Sequence, residues 1–150
     1  MNEIKILVFN LNGEYFATDI MEVERILGSI AITKIPNSPS YLEGVAKYEE
    51  EVIPVINLYK KFNFEEYTNN ENRKIIVVKK ELGKFGVAVD DVKEVTTVKQ
   101  EIIDYSSAMT AVVSRKYIKG IIKEKDKLIV LLDLNNILLE EEGLVFERME

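Results

Sequence analysis

The segment YLEGVAKYEEEVIPVINL, residues 41–58, returns later in the chain as YIKGIIKEKDKLIVLLDL, residues 117–134. The two copies align without a gap, so that Tyr41 matches Tyr117. Each copy places apolar runs on both sides of a charged turn, which is the pattern of a β-hairpin. A repeat of this length in a chain of 150 residues indicates that the fold contains the same hairpin twice.

A second pair of segments supports an internal duplication. FATDIMEVERI, residues 16–26, matches FGVAVDDVKEV, residues 85–95, in the same order relative to the repeated hairpin. Two copies are too few for a repeat array. Each half has about five short strands, which favours two small antiparallel barrels over a parallel α/β sheet, where a helix must join successive strands. A half of ~70 residues is marginal alone, so we expect the halves to pack together around a cleft.

The pattern predicts one domain over residues 1–150, with a first barrel at about 14–66 and a second at about 74–134. The N-terminal strand and a C-terminal helix are the elements that could cross between the barrels. The run NNILLEEEGLVFER, residues 135–148, has the apolar spacing of that helix. Residues 21–27 are predicted as a short helical turn.

The composition excludes several classes of protein. The chain has no cysteine and no histidine, which removes disulfides, thiolate nucleophiles, the commonest metal ligand and Ser-His or Cys-His catalysis. The net charge is −6, whereas nucleic-acid binding needs a basic face. No signal peptide is evident, and the apolar runs fall short of the ~20 residues that span a bilayer. We therefore expect a cytoplasmic protein with no cofactor, no nucleic-acid partner and no membrane insertion.

The carboxylate-rich positions do not indicate an enzyme. Asp90 and Asp91 are adjacent and would point to opposite faces of a strand, so we interpret them as a solvated strand end. The three glutamates at 49–51 cannot all face one cation and are interpreted as a solvated turn. An enzyme that used carboxylates alone stays an alternative, and strong pH-dependent turnover would be its sign. The loop serines have no base beside them: Ser38, Ser106, Ser107 and Ser114.

Four apolar residues follow the second strand of each half at matching places: Val23, Ile26, Val92 and Val95. They are either core residues, as apolar side chains commonly are, or an apolar binding surface along the junction of the halves. An exposed patch of the second kind usually marks a protein partner. The residues alone leave both alternatives open.

Several of these segments resemble the CheW family of chemotaxis adaptors. IPNSPSYLEG, residues 35–44, is similar to the family's I-P-N-x-P-x-Y-x-x-G loop, and GV followed by VIPVINL, residues 52–58, resembles its G-V-x-N-x-R-G-x-V-I-P-V-x-D-L segment. The similarity covers roughly residues 4–139. It implies an all-β fold of two SH3-like five-stranded barrels around an apolar seam, without enzymatic activity. The second half carries matching segments at residues 86–90, 117–120 and 128–134.

The resemblance also implies partners. Such proteins couple membrane chemoreceptors to the histidine kinase CheA in arrays to which the adaptor is recruited. One barrel would pair with the kinase's own CheW-like regulatory domain, and the groove between the barrels would receive the helical-hairpin tip of the receptor. Carried over by position, the receptor groove includes Val23, Gly44, Val92 and Val95. The kinase contact carried over in the same way involves Thr33, Ile35 and Asn37.

One departure from the family pattern affects two charges. The family's N-x-R-G turn is here KYEE, residues 47–50, so that Glu49 stands at the arginine position. The family's V-x-E-I segment is here Val-Glu-Arg-Ile, so that Arg25 stands at the glutamate position. We hypothesise that Arg25 and Glu49 form the same ion pair with the charges exchanged. The effect would fall on partner choice, since facing like charges are penalised.

Two alternatives to the chemotaxis adaptor remain from the sequence. The first is a diverged CheW-like adaptor for a non-chemotactic receptor–kinase system, which the altered turn suggests. The second is a small-molecule binding module in the cleft between the barrels, which a ligand-induced thermal shift would reveal.

Overall fold

The computed structural model describes residues 2–62, 64, 73–80, 83–105 and 117–137. These residues form eleven strands and one short α-helix, with 3₁₀ turns at Ile20–Glu22, Gln100–Ile102 and Leu134–Asn136. The predicted all-β class is therefore confirmed. The predicted C-terminal helix falls almost entirely on residues outside the described ranges. The strands and helix are β1 Glu3–Leu11, β2 Glu14–Asp19, β3 Val23–Leu27, β4 Leu42–Tyr48, β5 Glu51–Asn57, α1 Leu58–Lys61, β6 Lys74–Val78, β7 Phe85–Val89, β8 Asp91–Lys99, β9 Ile103–Asp104, β10 Ile118–Glu124 and β11 Lys127–Leu132.

The strands form two sheets. Sheet A has the order β8-β1-β2-β11-β10-β9, and sheet B has the order β3-β6-β7-β5-β4. In each sheet a hairpin lies parallel to a strand from the other half of the chain, with β11 beside β2 and β5 beside β7. The remaining pairs are antiparallel.

Each sheet contains strands from both halves of the chain. Sheet A joins β1 and β2 to β8–β11, and sheet B joins β3–β5 to β6 and β7. The division at about 14–66 and 74–134 therefore does not follow the sheets. The cause lies after β2, where the 3₁₀ turn Ile20–Glu22 carries the chain out of sheet A and β3 pairs with β6. After β7 the chain crosses in the opposite direction, and β8 pairs with β1.

The short helix predicted over residues 21–27 is wrong for most of its length. A 3₁₀ turn ends at Glu22, and residues 23–27 continue as β3. The Asp19 side chain accepts a hydrogen bond from the Met21 amide at 2.9 Å and so caps the single turn. The sequence VERIL has apolar residues at its first, fourth and fifth positions, which suits a helical turn, but five residues are too few for this spacing to exclude a strand.

The internal duplication is visible in the irregularities of the sheets. The register of β4 with β5 shifts between Leu42 and Gly44, and that of β10 with β11 shifts at the matching place between Ile118 and Gly120. Both glycines lie against a crossing segment, because a Cβ at Gly44 would lie 2.3 Å from the Thr33 carbonyl oxygen and one at Gly120 would lie 2.8 Å from Ile103 Cγ2. The repeated glycine therefore permits close approach of a neighbouring backbone.

The largest core cluster lies between the two sheets, and we call it the junction cluster. It takes buried apolar side chains from both sheets and from the segments that connect them. A smaller cluster of buried side chains, which includes Ile122 and Ile129, packs on sheet A, and two more clusters pack on sheet B. In the described residues no helix is long and apolar enough to cross a membrane. The junction cluster includes Leu7, Phe9, Phe16, Ile56, Leu58, Tyr59, Phe62, Ile76, Val78, Phe85, Val87, Tyr117, Leu132, Leu134 and Ile137.

Candidate functional site

Two of the predicted groove residues meet at the junction cluster. Val23 begins β3, Val92 lies near the start of β8, and both are half-buried against the same cluster. They are matched positions of the duplication, and the exchange of β3 and β8 packs both against this cluster. We call the half-buried apolar surface at Val23 and Val92 the seam. Each valine packs on the core with part of its side chain and keeps the rest accessible. The two alternatives left by the sequence, core residue and apolar binding surface, therefore each hold in part.

The other two groove residues differ from these valines. Val95 is 54% exposed on β8, which lies at the edge of sheet A, so its side chain is free to meet a partner. Gly44 is buried on β4, where its role is the close approach of the Thr33 backbone. Ile26 on β3 is also exposed, at 39%.

The predicted kinase segment runs along the edge of sheet B. Thr33 forms an isolated bridge to Val45, with both backbone hydrogen bonds at 2.8 Å. Ile35 packs against the junction cluster, and its carbonyl accepts a hydrogen bond from Ser38 Oγ at 2.7 Å. Asn37 is exposed and has a positive φ of 60°, which asparagine tolerates better than most residues. The segment is thus fixed by its backbone and presents the Thr33 and Asn37 side chains to solvent.

Arg25 and Glu49 do not form an ion pair in the described part of the chain. Arg25 Cζ lies 5.8 Å from the centroid of the Tyr48 ring, within range of a cation–π contact. Glu49 occupies the β4–β5 turn with a positive φ of 54°. Both charges act on the Tyr48 phenol, since Arg25 lowers and Glu49 raises its pKa. The structure therefore brings the two exchanged charges to one tyrosine instead of to each other.

A network that the sequence did not predict joins β3 to the β4–β5 hairpin. Tyr48 Oη donates to Glu24 Oε2 at 2.7 Å, and Lys84 Nζ lies 3.1 Å from carboxylate oxygens of both Glu24 and Glu51. The hydrogen bond to Glu24 and burial raise the pKa of Tyr48 to about 12. The same hydrogen bond and Lys84 lower the pKa of Glu24, and the two carboxylates raise the pKa of Lys84.

The interpretation of the glutamates at 49–51 as a solvated turn is wrong for Glu51, because Glu51 forms an ion pair with Lys84. Glu24 occupies the bulge where the register of β3 with β6 shifts between Val23 and Arg25. A bulge re-aims side chains and leaves no signature in a single sequence, so nothing marked Glu24 as a partner of Tyr48.

Asp90 is likewise not a solvated strand end. Its Oδ2 accepts hydrogen bonds from the Asn12 amide at 2.9 Å and from Tyr59 Oη at 2.5 Å. The carboxylate thus connects the β1–β2 turn, helix α1 and the end of β7. Asp91 behaves differently, since its carboxylate accepts from the Val92 amide and pairs with Lys93 at 3.4 Å. The two aspartates do have different surroundings, as adjacent strand residues should.

The duplicated tyrosines meet at one lysine. Lys61 Nζ lies 4.1 Å from the ring centroid of Tyr41 and 5.7 Å from that of Tyr117, both within range of a cation–π contact. Helix α1 therefore places its last residue between the two copies of the repeated segment. This contact links the halves at the surface of the junction cluster.

A buried carboxyl group lies directly before Val23. Glu22 is 7% exposed, and its carboxylate accepts a hydrogen bond from Thr18 Oγ1. Burial, with a smaller contribution from Asp133, raises the pKa of Glu22 to about 7 against the opposing effects of Thr18 and Lys119. The sequence IMEV contains no signal that its glutamate is buried. Within the described residues no group of three or more acidic side chains is arranged to hold a metal ion.

Comparison with known proteins agrees with this architecture. A family model described as the CheW-like domain matches residues 5–142. The crystal structure of the scaffolding protein TtCheW from Thermoanaerobacter tengcongensis superposes with a TM-score of 0.86 and 30% identity, covering 94% of this chain and 96% of that one. The two SH3-like barrels implied by the sequence resemblance are thereby confirmed.

Curated relatives are similar over nearly the whole chain. The chemotaxis protein CheW of Treponema pallidum is 26% identical over 93% of this chain and 85% of its own. The chemotaxis protein CheW of Bacillus subtilis is 28% identical over 91% of this chain and 88% of its own.

Proposed function

The chain belongs to the CheW-like domain family, and on that premise we propose that it is a non-catalytic adaptor which couples chemoreceptors to a CheA-type histidine kinase. The relatives named CheW and the similar scaffolding protein support this function. The observation in this chain that carries it is the position of Val23 and Val92, which the strand exchange brings to one half-buried apolar seam. Such a seam can bind an apolar helical surface, which is a common mode of peptide recognition.

The receptor contact is proposed along this seam. Val23 and Val92 would supply its packed floor and Val95 its exposed edge. Gly44 would act indirectly, by allowing the Thr33 backbone to approach β4 closely. The proposed occupant is the helical-hairpin tip of a methyl-accepting chemoreceptor.

The kinase contact is proposed on the edge of sheet B around Thr33, Ile35 and Asn37. Two of these side chains face solvent, and the backbone that carries them is fixed by the bridge to Val45. The occupant would be the CheW-like regulatory domain of the kinase. In this arrangement the protein would be held at receptor arrays by its partners.

The exchanged charges support a second candidate, a diverged adaptor for another receptor–kinase system. Arg25 is exposed beside Tyr48, so a partner meets a positive charge where the family pattern has a glutamate. A kinase or receptor fitted to the opposite charge would bind poorly, because facing like charges cost affinity. The protein would then serve a partner that carries an acidic group at this contact.

Two titrations test the function and separate the two contacts. For the kinase, the regulatory domain of each CheA-type kinase from the same organism is titrated with the wild type, Arg25→Glu and the control Lys5→Glu. Lys5 is an exposed residue of β1 in sheet A, so its reversal makes the same charge change in the other sheet. We expect micromolar binding to one kinase that Arg25→Glu weakens and Lys5→Glu preserves. If no kinase binds while a receptor fragment does, the second candidate is favoured.

For the receptor, a fragment of the hairpin tip is titrated with Val95→Glu and Val52→Glu. The two valines are 54% and 53% exposed, so both variants add one charge to an accessible strand position. We expect Val95→Glu to weaken receptor binding about tenfold, which corresponds to about 1.4 kcal/mol, and Val52→Glu to leave it unchanged. Equal effects of the two variants would contradict the proposed groove, and absence of binding by the wild type to both partner classes would contradict the adaptor function.

A further inference from the structure

The crossover between the sheets is built around a buried carboxyl group. Glu22 is the last residue of the 3₁₀ turn that carries the chain from β2 in sheet A to β3 in sheet B. Its backbone carbonyl accepts a hydrogen bond from the Lys79 amide at 3.0 Å, just beyond β6. The next residue is Val23, whose amide closes the turn by donating to the Ile20 carbonyl. A change in the backbone at Glu22 therefore acts directly on Val23, which packs against the junction cluster.

The side chain of Glu22 faces groups from three strands. Thr18 Oγ1 of β2 donates to its carboxylate. Asp133 directly follows Leu132, which pairs with Thr18 across β2 and β11, and its carboxyl raises the pKa of Glu22. Lys119 of β10 is the cation on this side, with its Nζ 4.0 Å from Glu22 Oε1. Asp19, in the same turn, directs its carboxylate to the Met21 amide instead. The Glu22 carboxyl thus has one hydroxyl donor and one distant lysine, and a second carboxyl acts on it.

Burial and the Asp133 carboxyl favour the protonated form of Glu22. When Glu22 is ionised, its charge lies in a buried position near a second carboxyl, and a cation at 4.0 Å compensates it poorly. When Glu22 is protonated, its hydroxyl can donate to Asp133 while its other oxygen accepts from Thr18. Asp133 is also held from the other side, because Asn136 Nδ2 donates to its Oδ2 at 2.9 Å.

We propose that Glu22 and Asp133 form a proton-sensitive latch that fixes the crossover between the sheets and thereby the position of Val23. The protonated latch holds the end of β2 to the end of β11. Loss of the proton loosens the turn and its hydrogen bond to Lys79. This device is independent of what binds at the seam.

The direction of the pH effect follows from the raised pKa. Burial is the largest cause and Asp133 adds to it, so that Glu22 titrates at about 7 in the folded chain instead of 4.5. A carboxyl whose pKa is raised by folding contributes its stability fully below the unfolded value and loses it as pH rises through the folded value. The latch is therefore closed at acidic pH and opens between about pH 6 and 8.

The test is a carbon-detected NMR titration of the Glu carboxyl groups together with the Lys79 amide shift. In the wild type we expect the Glu22 carboxyl carbon and the Lys79 amide to titrate with a common midpoint near 7. Glu22→Gln imitates the protonated group, since its amide donates to Asp133 and its oxygen accepts from Thr18, and the Lys79 titration should disappear. Asp133→Asn removes the facing charge and supplies a donor, so the Glu22 midpoint should fall by about one unit or more.

The control variant is Glu94→Gln, which changes an exposed glutamate of β8 and should leave the Glu22 and Lys79 midpoints unchanged. A Glu22 midpoint below about 5, or a Lys79 titration that persists in Glu22→Gln, would overturn the latch. Because both probes are read on the folded protein, loss of fold in one variant would not hide the wild-type result.

A consequence for binding rests on the proposed function. If the seam receives the receptor tip, the wild type should bind the receptor fragment about threefold or more weakly at pH 8 than at pH 6, and Glu22→Gln should bind equally at both. Equal wild-type affinity at the two pH values, with the NMR result as expected, would refute the coupling to binding and leave the latch in place. No binding at either pH would refute the proposed receptor contact, and the NMR titration would still decide the latch.

Discussion

Replacement of Gly44 by alanine is expected to break the edge of sheet B. Gly44 has a φ of +154°, and an added Cβ would lie 2.3 Å from the Thr33 carbonyl oxygen and 2.9 Å from its carbonyl carbon. These are backbone atoms, which cannot rotate away as a flexible side chain can. The same carbonyl oxygen accepts the Val45 amide at 2.8 Å, so that the clash falls on the bridge itself.

The loss of stability in Gly44→Ala can be worked out from the interactions that the added Cβ disrupts. The Thr33–Val45 bridge consists of two backbone hydrogen bonds, each worth roughly 0.5–1.5 kcal/mol. A non-glycine residue held in a sparsely populated backbone region costs a further ~1–3 kcal/mol. We therefore expect Gly44→Ala to lower the free energy of unfolding by about 2–6 kcal/mol. For a chain of this size that corresponds to a fall in Tm of roughly 4–24 °C.

Urea denaturation of three alanine variants tests this reasoning. Gly120→Ala is the matched variant in sheet A, where the nearest atom is the Ile103 Cγ2 methyl at 2.8 Å and the Asp104 carbonyl oxygen follows at 3.0 Å, farther away than the Thr33 carbonyl oxygen is from Gly44. It should cost about 1–2 kcal/mol, the usual range for modest overpacking. Gly28→Ala has no atom within 4 Å of its new Cβ and should lie within about 0.5 kcal/mol of the wild type.

The test depends on the order of the three variants in free energy of unfolding. A Gly44→Ala protein as stable as Gly28→Ala would show that the Thr33 segment moves aside without cost, and the explanation from the fixed bridge would be wrong. A larger loss in Gly120→Ala than in Gly44→Ala would contradict the ranking of the two sites by how closely the added Cβ approaches the backbone. Kinase-domain affinity of Gly44→Ala, measured where the protein is folded, should also fall, because Thr33 carries the proposed contact.

Three further predictions concern contacts within and between the two sheets. Lys61→Met keeps the side-chain length but removes the cation between Tyr41 and Tyr117, and it should lower the free energy of unfolding by about 1–2 kcal/mol in urea denaturation, whereas the exposed neighbour Lys60→Met should not. Tyr48→Phe removes the main cause of the lowered pKa of Glu24, so an NMR titration should show that pKa rising, and the stability that Glu24 loses on acidification should shrink; an unchanged Glu24 titration would contradict the network. Fragments 1–72 and 73–150 should each lack strand signal by circular dichroism and regain it on mixing, because both sheets need strands from both fragments; a folded single fragment would refute this.

The hairpins could be predicted from the sequence because their information is local. Residues 41–58 and 117–134 contain both strands and the turn, and the structure forms β4–β5 and β10–β11 there. The exchange of β3 and β8 could not be predicted in this way. Their short, mixed sequences do not specify a sheet, and the choice depends on pairing with β6 and β1, which lie far away in the chain.

Part of the proposed site was visible in the sequence. The duplication marked Val23 and Val92 as matched apolar positions and the family resemblance assigned them to a groove, and both pack against the junction cluster. The network around Lys84 was not predicted, since Lys84 lies in a turn far along the chain from Glu24 and only the fold brings them to 3.1 Å. Glu22 was missed because a glutamate is exposed in most contexts, and only its place in the crossover buries it.

The strand exchange explains how a duplicated chain can bind partners without any reactive side chain. Had each half closed its own barrel, Val23 would stay with β1 and β2 and Val92 with β6 and β7, and the seam would depend on docking two separate marginal units. Because β3 and β8 cross instead, each carries its valine to the boundary as part of a hydrogen-bonded sheet. The seam is thus continuous with the junction cluster, so its shape is fixed by the same packing that folds the chain. The crossovers, where Glu22 and Asp90 make their buried and bridging hydrogen bonds, therefore help to set the position of the proposed seam.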